Sequence, residues 1–290
     1  MQQPDVNIIF TTCEQTLWLN DIVRHRELIE SKDVLSIVQI TLDSNITYAA
    51  FEPYHIVTLS CLIDVAKKKG ALIQLIVEDE HLKSFIWNDV RIREYWNGTQ
   101  IPHYSSAESK NFDLWRIENK YIQSYAISLF NYFQRVHFKG LDLGGLANGL
   151  VELHQNVVDH ACANGTAFSY ITYNEDIEKI CIAVCDFGVG IPYTLRGICA
   201  DEQKALKLSL KDGISAKTNS HNFGMGLSDV ESLVTDTDTL RMISSTAMLV
   251  EENGICNTFN LNFNFRGTLV YLTIDKNSFY TDEIIGDLEL

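Results

Sequence analysis

The chain has 290 residues, 46% of them hydrophobic and 21% charged, an ordinary composition for a soluble protein with room for two domains. Its formal net charge of -15 works against a nucleic-acid or anionic-membrane partner, because no basic patch is long enough to neutralise phosphates. The cysteines at 13, 61, 162, 181, 185, 199 and 256 lack CxxC spacing and read as reduced, mostly buried thiols. No leader-like N-terminus and no apolar run of about 18 residues is present, so a soluble cytoplasmic protein is expected.

From Val34 the pattern is β, α, β. "VLSIVQITL" is strand-like, "FEPYHIVTLSCLIDVAKKKG" has helical apolar spacing and closes on Lys and Gly, and "LIQLIVED" is a second buried strand. Such alternation predicts an α/β domain over residues 1–100. "GTQIPHYSSAESKN" weakens the pattern, and residues 101–118 read as a linker. Residues 119–290 form the second predicted domain, which opens on a helix in "ENKYIQSYAISLFNYFQRVHF".

The next helix, "DLGGLANGLVELHQNVVDHACANG", is two-faced. Leu143, Leu146, Leu150, Val151, Leu153, Val157, Val158 and Ala161 share one arc, with His154 as its single polar member, expected to be a hydrogen-bonded core residue. Glu152, Asn156, Asp159, Asn148, Gly145 and Gly149 share the opposite stripe. Glycine in a helix interior costs roughly 1 kcal/mol relative to Ala, so two of them predict a close approach by another group.

Downstream, Ile180 to Cys185 is a continuous apolar run, expected as a strand buried on both faces, and it ends in "DFGVG". A carboxylate at the mouth of a central strand followed by glycines suits the floor of a pocket, with an Asp-Gly turn as the plain alternative. From Pro192 to Phe223 one helical patch, "ADEQKALKLSLKDG", stands in a long stretch expected to act as a lid. "NFGMGLSDVESLV" then places Gly224 and Gly226 before a short helix, where free amides favour an anion. "TLRMISSTAMLVEENG" and "GICNTFNLNFNFRGTLVYLTI" alternate like strands around an Asn-Gly turn, with Gly267 and Thr268 expected just before a final strand.

In this order, Glu152 and Asn156 on a helix, then "DFGVG", a lid, "GMGL" and "GT" resemble the nucleotide-binding domain of the GHKL family over residues 119–276. DNA gyrase, heat-shock chaperones, histidine kinases and mismatch-repair ATPases share that domain. GxxxxGK[ST] is absent, which removes the P-loop alternative. The resemblance implies a two-layer α/β sandwich of the Bergerat type that binds ATP and Mg²⁺. Asn156 would be the metal ligand, and Glu152 the catalytic group that polarises water. Asp186 would accept from the adenine amine, which guanine lacks. Gly188 and Gly190 would line the base and ribose, Gly224 and Gly226 would cradle phosphate, and Thr268 would complete the adenine contacts. "VLSIVQITLDSNITYAAFEPYHIVTLSCLIDVAKKKGALIQLIV" resembles a STAS domain, but "YAAFEP" stands where that family has its phosphorylatable Ser. This implies a docking or sensing module.

The expected function is an ATP-hydrolysing conformational switch that signals to a protein partner, with a homodimer allowed. The alternatives are a serine or histidine protein kinase akin to anti-sigma factors, and a nucleotide sensor without turnover. His25 and His137 lack a phosphoacceptor neighbourhood, so a kinase would need a separate substrate protein.

Overall fold

The computed structural model describes residues 3–96, 111–160, 166–211 and 226–279. Two elements precede the predicted βαβ unit. In β1 (Val6–Phe10), Val6, Ile8 and Phe10 point inward, and in α1 (Gln15–Glu30) the Glu14 carboxylate accepts from the Thr16 and Leu17 amides at the N-terminus. The predicted unit follows as β2 (Ile37–Leu42), α2 (Pro53–Lys68) and β3 (Leu72–Val77). Pro53 occupies the first turn of α2, and Gly70, at φ +89°, turns the chain out of the helix after Lys67 and Lys68. The three strands form a parallel sheet in the order β1-β2-β3. Short helices α3 (Glu80–Ser84) and α4 (Ile92–Trp96) complete this part.

A second, five-stranded sheet is antiparallel throughout, in the order β4-β5-β6-β8-β7. Its members are β4 (Asn111–Arg116), β5 (Ala167–Asn174), β6 (Lys179–Asp186), β7 (Thr239–Glu252) and β8 (Ile255–Asp275). β4 pairs with β5 inside the stretch expected to be a linker, so the sheet begins before residue 119; residues 101–110 lie outside the described residues. Asn253 and Gly254, both at positive φ, make the predicted turn between β7 and β8. β8 is continuous, so Gly267 and Thr268 lie within it and not ahead of a separate final strand. The chain is thus a mixed α/β protein, with one parallel and one antiparallel sheet among the described residues.

Helices cover both faces of the five-stranded sheet. On one side lie α5 (Ile122–Val136) and α6 (Gly144–His160); Leu143 just before α6 and its Leu146, Leu150 and Leu153 join Ile180, Ile182 and Val184 of β6 in one core. On the other lies α2, which packs on β5 and β6, so that Cys181, Ala183 and Cys185 belong to the same core as β1, β2 and α1. Thirteen of the sixteen residues of α2 are buried because it has a sheet on either side. β6 is buried on both faces, as its continuous apolar run predicts. Asp64 fastens the two halves. Its Oδ2 accepts from Thr166 Oγ1 at 2.8 Å and pairs with Lys68 Nζ at 3.0 Å, while its other oxygen pairs with Arg116 of β4.

His154 faces the core as expected, but it is not hydrogen-bonded. It is 0% exposed beside Trp115 and Tyr125, and neither ring nitrogen has a partner among the described residues. Burial depresses its pKa to about 3, below the unfolded value near 6.5. The unfolded chain therefore takes up the proton first, and stability is lost as pH falls below 6.5. His154→Leu should remove this loss. In urea titrations its stability relative to the parent should rise by about 2 kcal/mol between pH 7 and pH 5. A difference that does not change with pH would mean that the imidazole is solvated. Cys61, Cys181 and Cys185 are buried, whereas Cys13, Cys199 and Cys256 are half-buried, so the expectation of mostly buried thiols holds for only part of the set; Cys162 lies outside the described residues.

Candidate functional site

Alternation along β6 decides where its last residue points. Ile180, Ile182 and Val184 face α6, so Asp186 does too, while Cys181, Ala183 and Cys185 face α2. On β8 the same alternation puts Val270, Leu272 and Thr268 on the α6 side, and Thr268 stands directly opposite Asp186 in the register. The two predicted base-contacting residues are therefore neighbours on one face. Asp186 Oδ1 accepts from the Gly188 amide at 2.7 Å, and Asp186 is only 3% exposed. Burial raises its pKa to about 7, against the lowering influence of the Gly188 amide, the Arg26 charge and hydrogen bonds from Thr268.

The backbone around the carboxylate is close-packed. Gly190, at φ +82°, initiates α7 (Ile191–Thr194), and a Cβ there would meet Ser244 Oγ at 2.5 Å and the Gly267 carbonyl at 2.9 Å. Gly267, at φ +127°, lies over Asp186 so closely that a Cβ would strike the Asp186 carbonyl. Ser244 of β7 ties these segments together. Its Oγ donates to the Gly267 carbonyl at 2.6 Å and accepts from the Ile191 amide at 3.0 Å. Nothing in "ISST" marks Ser244 in advance, since both its partners are main-chain atoms distant in sequence.

Glu152 and Asn156 stand one turn apart on α6, both half-buried, with Asp159 on the same stripe. Asn156 Nδ2 is buried without a hydrogen-bond partner among the described residues. An unpaired buried amide costs roughly 1–3 kcal/mol, which marks the position as suited to a polar group that the chain itself does not supply. For Gly145, the group that approaches the stripe is part of the protein itself. A Cβ on Gly145 would meet Leu233 Cδ2 at 3.1 Å, in the segment after α9 (Gly226–Glu231), and α9 packs along α6. Close approach at Gly145 is by the protein.

No family model matches the chain, and no curated protein matches it. Gly226 opens α9 as expected, while Gly224 lies outside the described residues. Within the expected lid from Pro192 to Phe223, one helix is held against the sheet. α8 (Glu202–Ser209) is moored to the β7–β8 ribbon by Glu202, which accepts from Ser245 Oγ at 2.6 Å and the Thr246 amide at 2.9 Å, and by Gln203, which bonds to Thr258 and Asn260. Residues 212–223 lie outside the described residues. Among the described residues no helix is long and apolar enough to cross a membrane, and no cluster of three or more His, Cys, Asp or Glu side chains could hold a metal.

Proposed function

We propose that the chain is an ATP-binding protein of the GHKL type, built on a Bergerat-type sandwich with a STAS-like N-terminal part, and that it works as an ATP-hydrolysing switch for a protein partner. The observation that carries this reading is Asp186. It is a buried carboxyl at the end of a central strand, paired with Thr268 and enclosed by two glycines at positive φ. Burying this carboxyl is costly even with the Gly188 amide, Arg26 and Thr268 beside it, and such a cost is often found at a functional position. As a carboxylate it accepts from the exocyclic amine of adenine, whereas guanine presents a carbonyl there.

On α6, the amide of Asn156 fits the phosphate end. Its unpaired nitrogen can donate to a phosphate oxygen, and the flipped amide offers an oxygen to Mg²⁺. When bound, Mg²⁺ would neutralise phosphate charge. Glu152, one turn earlier, has the chemistry and spacing to orient and deprotonate a water. Gly226, at the start of α9 beside α6, remains the candidate for phosphate amide contacts, together with Gly224.

The test is calorimetry with non-hydrolysable ATP and GTP analogues in Mg²⁺ at two pH values. At pH 8 Asp186 is mostly ionised, and ATP should be preferred. At pH 6 it is mostly protonated and can donate to the guanine carbonyl, so the preference should fall by about tenfold. Equal affinities at pH 8 would sink the adenine assignment. γ-Labelled ATP then separates the chemistries: free phosphate means hydrolysis, label on a protein means a kinase, and neither means a sensor.

A further inference from the structure

Arg26 of α1 approaches this site from behind. Asp186 faces the α6 layer, while α1 lies in the core on the opposite side of the sheet, so Arg26 reaches the site through its backbone. Its Nη2 donates to the Phe187 carbonyl at 3.1 Å, its Nη1 to the Arg266 carbonyl, and its Nε to Glu30 Oε1 at 2.8 Å. The guanidinium carbon also stands 4.4 Å from the centre of the Phe187 ring. Phe187 follows Asp186, and Arg266 precedes Gly267 and Thr268. The fork thus holds together the two main-chain segments, from different strands, that carry the pair of base-contacting residues. Glu30 also pairs with the Arg266 side chain, so the end of α1 grips β8 twice. The guanidinium is nearly buried, with 11% of the side chain exposed, and has donors engaged on both strands at once, which a lysine ammonium on a flexible stem does not reproduce.

We infer that Arg26 is a positioning residue for the base-reading end of the site, through which α1 sets how strictly adenine is selected. The inference rests on the nucleotide-binding reading for its consequence, but the clamp itself is a property of the nucleotide-free protein. Its positive charge favours ionised Asp186 and works against burial there. Among the described residues, Cys185 on the same strand, in contact with Cys61 of α2, also bears on Asp186, Glu152 and Asp159 are carried by α6 on the side that Asp186 faces, and Glu30 and Arg266 pair with each other.

The experiment compares the full chain with Arg26→Lys and Arg26→Gln. Three readouts are taken: carboxyl ¹³C titration of Asp186 without nucleotide, hydrogen exchange of the Gly188 amide, and the ATP-to-GTP analogue affinity ratio at pH 8. Arg26→Gln should raise the Asp186 midpoint by about one unit and lower the ratio by about tenfold, the weight of a charge-assisted hydrogen bond. Arg26→Lys keeps the charge and should leave the midpoint near the parent value, yet lower the ratio and speed Gly188 exchange by about tenfold because the fork is lost. A purely structural role lowers the melting temperature without moving these readouts, and that result would overturn the inference. Should Arg26→Gln fail to fold, Gly188 exchange in Arg26→Lys decides alone, and exchange at the parent rate refutes the clamp. Absence of nucleotide binding by the parent protein refutes the functional reading, and the midpoint and the exchange rate still decide whether Arg26 positions Asp186.

Discussion

Asn156→Ala should lose Mg²⁺-dependent nucleotide binding and turnover together, whereas Glu152→Ala should keep binding and lose hydrolysis by on the order of a hundredfold or more. The two residues share a stripe of α6 but do different work. Asn156 carries the unpaired buried amide suited to the phosphate end, so its removal leaves triphosphate charge poorly compensated. Glu152 is a carboxylate whose removal relieves repulsion with the γ-phosphate, and analogue affinity should hold or improve. Affinity by calorimetry and phosphate release, with circular dichroism to confirm folding, check both. Hydrolysis at the parent rate by Glu152→Ala would remove the water-activating role.

Asp186→Asn should make the nucleotide-free protein more stable at high pH and at the same time abolish adenine selection. A carboxyl whose folded pKa is raised to about 7 holds its proton more tightly in the folded state. The penalty for ionising it is absent below the unfolded value near 4 and complete above 7, so the parent loses stability as pH rises through that window. Asparagine never ionises, its oxygen can still accept from the Gly188 amide, and the Thr268 hydroxyl can rotate to accept from its nitrogen. The variant should exceed the parent by on the order of 4 kcal/mol at pH 8, with the difference closing toward pH 4. With its oxygen held by Gly188, the amide turns a donor to the base that cannot accept from the adenine amine, so the preference for the ATP analogue should be lost. Urea unfolding from pH 4 to 8 tests the first half, and a constant stability difference would show that Asp186 is already neutral or solvated at every pH. Such a gain on removing a costly group is the expected relation between stability and a functional site.

The segments legible in the sequence are those whose burial is continuous or cleanly periodic. "VLSIVQITL" and "KICIAVCD" contain β2 and β6 because strands buried on both faces leave uninterrupted apolar runs. α1 was hidden for the opposite reason. Its inward residues Trp18, Leu19, Ile22, Val23 and Ile29 share the helix with Arg24, His25, Arg26 and Glu27, and its cap is a glutamate, which carries little helix-start signal. β4, "NFDLWR", has Asn and Asp in an edge strand and follows a Ser-rich stretch that resembles a linker. Of the candidate site, Asp186, Gly188, Gly190 and Thr268 were readable because each belongs to a short glycine-marked segment, the first three at the end of β6 and Thr268 beside Gly267 within β8. Arg26 and Ser244 were not. Their partners are backbone carbonyls and an amide, and the carbonyls that Arg26 holds are 161 and 240 residues away, so no local pattern records them.

The placement of α2 between two sheets has a consequence for the newborn chain. Cys61 of α2 packs on the Cys185 carbonyl, 124 residues later, and Tyr54 rests against Tyr271 on the last strand. At a synthesis rate of about 5–20 residues per second, the βαβ unit leaves the ribosome on the order of ten seconds before β6 exists to cover it. Throughout that interval the side of α2 that awaits the second sheet is bare and apolar, so this segment is where nascent chains are most exposed to chaperones and to one another.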